Sequence, residues 1–155
     1  MKRKLNMKKI AIASLIALAA TAASALEVGV NASREYVGEN NNGTGITLGQ
    51  KYGKVGVTAG FDRFTKEAND QDRLSLTVGY DAAKLGPVTI TPKVGVAHLN
   101  NSAAVDGYAM TVGVGASVPL SKAIDFTVDA RRQYGQDRVK AFDGNTVSAG
   151  LKYKF

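Results

Sequence analysis

Apolar and polar residues alternate with a period of two through most of the 155-residue chain. That alternation marks β-strands with one apolar and one polar face. The segment Glu27-Val28-Gly29-Val30-Asn31-Ala32-Ser33 sets the pattern. Further runs follow it over Ile46–Tyr52, Val55–Phe61, Leu74–Tyr80, Val88–Val96, Tyr108–Val118, Ile124–Ala130 and Val147–Phe155, eight strands in all. The connections alternate in length. Gly53-Lys54, Asp81–Pro87 and Pro119–Lys122 are short, whereas Val37–Gly43, Thr65–Asp72, Leu99–Gly107 and Gln133–Asn145 are longer and rich in Asn, Asp and Gly. Short turns on one side and longer polar loops on the other predict an all-β fold, an eight-stranded antiparallel up-and-down transmembrane β-barrel over residues 26–155.

The pattern fits two kinds of barrel. A soluble lipocalin-like barrel encloses an apolar cavity and wets its outside; a membrane barrel does the reverse. The parity opposite the apolar one carries glycines, threonines, serines and charges. The interior of an eight-stranded barrel is just wide enough for side chains, which favours small residues and mutually paired charges there. The apolar parity is therefore expected to face lipid, with Tyr36, Tyr52, Tyr80, Tyr108 and Tyr153 forming an aromatic girdle near the strand ends.

Composition first suggests something else. With 20 Lys and Arg against 13 Asp and Glu, the chain carries a net charge of +7. Residues 1–25, however, hold Lys2, Arg3, Lys4, Lys8 and Lys9 and no acid, followed by an apolar run from Ile10 to Ala20 and an Ala23-Ser24-Ala25 end. A basic head, a short apolar stretch and small residues at the end read as a secretory signal peptide, removed from the mature protein, with Met7 an equally good start. The rest of the chain is nearly neutral, so the basicity gives no ground for a nucleic-acid partner. The absence of Cys and the presence of a single His exclude disulfide frameworks, thiol nucleophiles and Cys- or His-rich zinc sites. No cofactor or metal is expected.

The C-terminus, Ser148-Ala-Gly150-Leu-Lys-Tyr153-Lys-Phe155, resembles the terminal assembly signal of bacterial outer-membrane barrels. With the leader and the eight strands, the whole mature chain resembles the small eight-stranded family typified by the OmpA transmembrane domain, OmpX and NspA. The resemblance implies residence in the Gram-negative outer membrane and insertion by the barrel assembly machinery, with Gly150, Tyr153 and Phe155 as the recognised positions. It also implies a monomer with a structural or surface-exposed role in the cell envelope.

The polar parity places acids and bases together in the lumen: Asp62, Arg73, Lys93, Asp125, Asp129, Arg131 and Lys152, joined by Glu27, Glu35, Lys51 and Lys154. Hairpin register sets Asp62 opposite Arg73 and Asp125 opposite Lys152. Near-balance predicts a paired network, because an isolated buried charge costs several kcal/mol. Such a network can act as a plug or as a narrow, porin-like passage for ions and small solutes; the plug is the expectation. At the other end of the upward strands, Arg34, Arg63, His98 and Arg132 fall on the lipid-facing parity, near Lys66, Arg138 and Lys140 in the loops. Arg suits bidentate phosphate contact, so these four are candidates for touching outer-membrane lipid and lipopolysaccharide.

His98 is the candidate for catalysis. Outer-membrane deacylases of lipid A place a Ser two residues after their His, whereas His98 is followed by Leu99-Asn100-Asn101-Ser102. Pro92 removes a ladder hydrogen bond within its strand, which suits lateral lipid entry into a lipid-A-modifying enzyme or, equally, a bulge near the rim. The expectation is no enzymatic activity.

Overall fold

The computed structural model describes residues 26–37, 39–65, 70–101, 106–136 and 143–155. The leader expected over residues 1–25 lies outside them, as do Lys66, Ser102, Arg138 and Lys140. The described chain is all-β. Its strands are β1 (Leu26–Val37), β2 (Glu39–Tyr52), β3 (Val55–Thr65), β4 (Gln71–Tyr80), β5 (Ala83–Leu85), β6 (Val88–Asn101), β7 (Asp106–Pro119), β8 (Ile124–Gly135) and β9 (Gly144–Lys154).

Eight of these close a barrel. Each pairs antiparallel with its neighbours, β9 returns to pair with β1, and β4 pairs across to β6. Following paired residues once around, from Leu26 through Gln50, Val57, Val78, Val94, Val112, Arg132 and Asn145, returns to β1 at Tyr36 rather than Leu26. This stagger is what tilts strands in a closed barrel and leaves no unpaired edge.

The three-residue β5 is an addition to the expected set. It forms a small hairpin with the start of β6, Leu85 facing Val88, over a turn at Gly86, whose φ of 59° suits glycine. Pro92 also finds its place here. On that side of β6 the pairing with β4 ends at Lys93 and the pairing with β5 begins at Ile90. Pro92 lies between them, where a missing N–H costs no ladder bond, while its pairing with Val114 of β7 continues in register without a bulge.

The strands are longer than the apolar pattern indicated. Residues 40–43, expected in a connection, belong to β2; β6 runs on to Asn101, and β7 begins at Asp106. The physical reason is that hydrophobic alternation reports only the part of a strand that lipid covers. The hydrogen-bond ladder continues beyond it with polar side chains.

The two faces separate as the parity requires. Outward residues such as Val30, Ile46, Leu76, Val94, Val96 and Leu151 are exposed, a pattern that only a lipid surround stabilises. Tyr36, Tyr108 and Tyr134 ring the end with the longer connections; Tyr52, Tyr80 and Tyr153 ring the end with the short turns and the Phe155 terminus.

Candidate functional site

The lumen has two unlike halves. Toward the loop end, Arg73 of β4 is fully buried. Its neighbour across the hairpin, Asp62 of β3, receives hydrogen bonds from Nη2 at 3.1 Å and Nε at 3.3 Å. Nη1 donates to Thr146 Oγ1 of β9 at 3.3 Å and lies 3.9 Å from Glu35 Oε1 of β1. The guanidinium also stacks over the Phe64 ring, 4.7 Å from its centroid. Asp62 accepts a further bond from Asn31 Nδ2 at 3.0 Å. Four strands thus converge on one cation.

The sequence favours this cluster locally. Phe64 is inward-facing and wholly buried because Gly43, its partner on β2, has no side chain: a Cβ there would lie 2.6 Å from Phe64 Cδ1. Leu99, Ala97 and Ala109 are buried at the same end. The inward face therefore changes character along the barrel, polar at mid-height and partly apolar at the loop end. The period-two pattern puts Leu99 in a loop and does not reveal this cap. Nor does it single out Phe64 and Thr146, although the inward parity of each was a signal for it.

Toward the turn end the lumen widens into a cavity of about 140 Å³ lined by charged, hydroxyl and glycine residues. Ion pairs line its wall. Lys93 bonds Asp129, Lys51 bonds Asp81, and Lys152 lies 3.1 Å from Glu27; outside the cavity lining, Lys154 lies 2.7 Å from Asp125. Register does set Asp125 opposite Lys152, as the hairpin indicated, yet the pair made is a different one. Lys154 stands opposite Glu27 on β1, and both lysines reach diagonally instead of straight across. Long side chains span that diagonal, which register alone does not reveal. Arg131 lines the cavity within electrostatic reach of Asp62, Asp129 and Arg73.

Asp81 was missing from the expected lumen set because it follows the last residue of β4. Partial burial pushes its carboxyl pKa up, but the hydrogen bonds from Lys51 and from Thr91 Oγ1 (2.8 Å) outweigh this and hold it below the ordinary value.

Arg34, Arg63, His98 and Arg132 sit at the loop-side ends of β1, β3, β6 and β8, and they differ in their partners. Arg63 makes a two-pronged pair with Asp72 of β4, 2.8 and 3.1 Å. His98 is held by Asp106 and packs edge-on to Tyr108, 4.9 Å between centroids. Arg34 and Arg132 instead lie over tyrosines, Tyr36 at 5.7 Å and Tyr134 at 5.4 Å, with their side chains exposed. Arg132 also reaches Asn145 Oδ1 at 3.5 Å. At the C-terminus, Tyr153 and Phe155 pack edge-to-face, 4.8 Å between centroids, and Phe155 is 72% exposed. Gly150 sits where β9 presses on β1: a Cβ would lie 3.0 Å from Asn31 Cα. Its position thus has a packing reason of its own. Among the described residues no group of three acids or histidines is placed to hold a metal ion.

Comparison with known proteins agrees with this architecture. A protein-family profile described as YfaZ precursor matches residues 7–154. No curated protein matches the chain. Among solved structures, Neisserial surface protein A is similar over 84% of this chain and 96% of its own, with TM-score 0.70 and 13% identity. The outer membrane protein OprG from Pseudomonas aeruginosa is similar over 86% and 96%, with TM-score 0.63 and 10% identity. A major outer membrane protein from Thermus thermophilus follows with TM-score 0.58, 17% identity, and 84% and 99% covered. At these identities the likeness is one of fold, a barrel of the outer-membrane type.

Proposed function

Because the chain belongs to the YfaZ precursor family and folds as an eight-stranded outer-membrane barrel, we propose that it is a structural, surface-exposed component of the envelope whose lumen is closed to solute passage. In such barrels the short turns face the periplasm. The Arg73 cluster is then the extracellular seal and the cavity opens toward the periplasm. The observation that carries this reading is the complete burial of Arg73 among Asp62, Glu35, Thr146 and Phe64. A buried charge held by groups from three other strands resists rearrangement, because removing a partner leaves it uncompensated. The role is non-catalytic, and His98 serves as an interfacial residue clamped by Asp106.

Two further assignments belong to this reading. The cationic rim contacts lipopolysaccharide phosphates, supported by the exposed guanidiniums beside tyrosines. The terminal Tyr153 and Phe155, exposed at the periplasmic end, act with Gly150 as the sequence handed to the assembly machinery.

Recording from the purified protein in planar lipid bilayers tests the closed lumen. No steady conductance steps are expected. Reproducible unitary steps would overturn the seal and leave a pore in its place.

A further inference from the structure

The four rim residues are not equivalent, and their differences single out one side of the barrel. Two of the four already have carboxylate partners within the chain, Arg63 with Asp72 and His98 with Asp106. The other two, Arg34 and Arg132, stand on β1 and β8, on either side of β9 and offset by two residues along it, about 12 Å apart at the backbone. Asn145 lies between them in the same hydrogen-bonded row as Arg132 and Tyr36. Asp143, near this row, has its carboxylate turned to the Gly135 N–H at 2.5 Å.

Directly beneath this polar group the outer wall is indented. A shallow groove of about 450 Å³ runs over β7, β8 and β9, with Val112, Val114, Ala130 and Val147 as its apolar lining and Arg132 and Asn145 at its head. Its floor is low because Ala130 stands between Val114 and Val147 in one row. In the next row Val128 stands on β8 below Ala130, with Ala116 on one side and Ala149 and Ala32 on the other, so the low point of the floor is at Ala130.

The geometry points to a seat for one molecule of lipid A on the β7–β8–β9–β1 wall. Arg34 and Arg132 take its phosphates, and an acyl chain lies in the groove over Ala130. This rests on the rim reading above and narrows it from a ring to one place. Several features match that occupant. Two guanidiniums held apart suit a headgroup that carries phosphates at both ends of a disaccharide. Guanidiniums steadied by tyrosine faces keep their forked donors available for phosphate oxygens. The groove continues below them at acyl-chain depth, and the whole group lies at the extracellular end, where the outer leaflet begins.

The test is native mass spectrometry of the intact folded barrel in detergent, titrated with purified bisphosphorylated lipid A. Folding of every variant is checked by heat-dependent gel mobility. Wild-type protein should retain one lipid. The double variant R34Q/R132Q should weaken retention at least about tenfold, the loss of one charge-assisted contact or more. A130F should weaken it comparably with both arginines intact, because the ring fills the groove. R63Q, whose native guanidinium is engaged by Asp72, should weaken retention far less than the double variant. Undiminished retention in both the double variant and A130F would overturn the seat. Equal losses for R63Q and the double variant would also overturn it, while leaving the diffuse rim reading standing. No lipid A retained by any form would end both readings. Displacement of lipid A by equimolar phosphatidylglycerol would overturn the choice of lipid.

Discussion

At the residue scale, the lumen charges divide by how much water reaches them. Arg73 and Asp62 are sealed, whereas Lys154 and Lys93 keep about a third of their side-chain surface exposed (33% each). Breaking a buried pair leaves a desolvated charge, and Asp62→Ala should therefore cost about 3 kcal/mol in urea unfolding of the reconstituted barrel. Asp125→Ala, which frees a partly hydrated Lys154, should cost under about 1 kcal/mol in the same assay. The Asp62–Arg73 contact was legible in the sequence because a single hairpin fixes it. Glu35 and Thr146 join from strands that do not neighbour β4, so no local spacing could show them on Arg73. Asp81 offers a second check. Its folded pKa lies below the ordinary carboxylate value, so its link to Lys51 stabilises the fold above that value and is lost as pH falls through the folded pKa. Asp81→Asn should be less stable than wild type at about pH 6, and the difference should vanish once the pH drops below the folded pKa.

At the element scale, the apolar period located every long strand but cut several short. Beyond the lipid β2 carries Asn40-Asn41-Asn42 on both faces and β6 ends in Asn100-Asn101 after a lone inward Leu99, so both pass for loop, although their ladder is unbroken. The small hairpin of β5 was hidden for a related reason: three exposed residues, Ala83-Lys84-Leu85, are too few to show alternation. The last strand carries two demands at once. Its glycine at 150 is required by contact with β1, whereas the Phe155 ring makes its edge-on contact with Tyr153 and is otherwise open. Phe155→Ala should therefore refold in detergent with unchanged heat-dependent mobility. In cells it should accumulate outside the outer membrane, as measured by membrane fractionation. Normal membrane levels would remove the assembly role.

At the scale of the whole molecule, closure by β1 and β9 removes every long unpaired edge, which is how a cysteine-free chain stays together without staples. The separation into a polar lumen and a lipid-facing wall was readable from parity, because a barrel repeats one rule on every strand. The inequality of the two lumen halves was not readable. It depends on which inward residues meet at a given height, and the stagger brings residues far apart in sequence to that height. The dry upper half has a further consequence. Under the proposed closed lumen, the partly exposed ion pairs of the lower half face the periplasm, where water and ions would reach them. A voltage across the membrane would then fall most steeply over the buried layer around Arg73, placing the guanidinium where the field inside the protein is strongest.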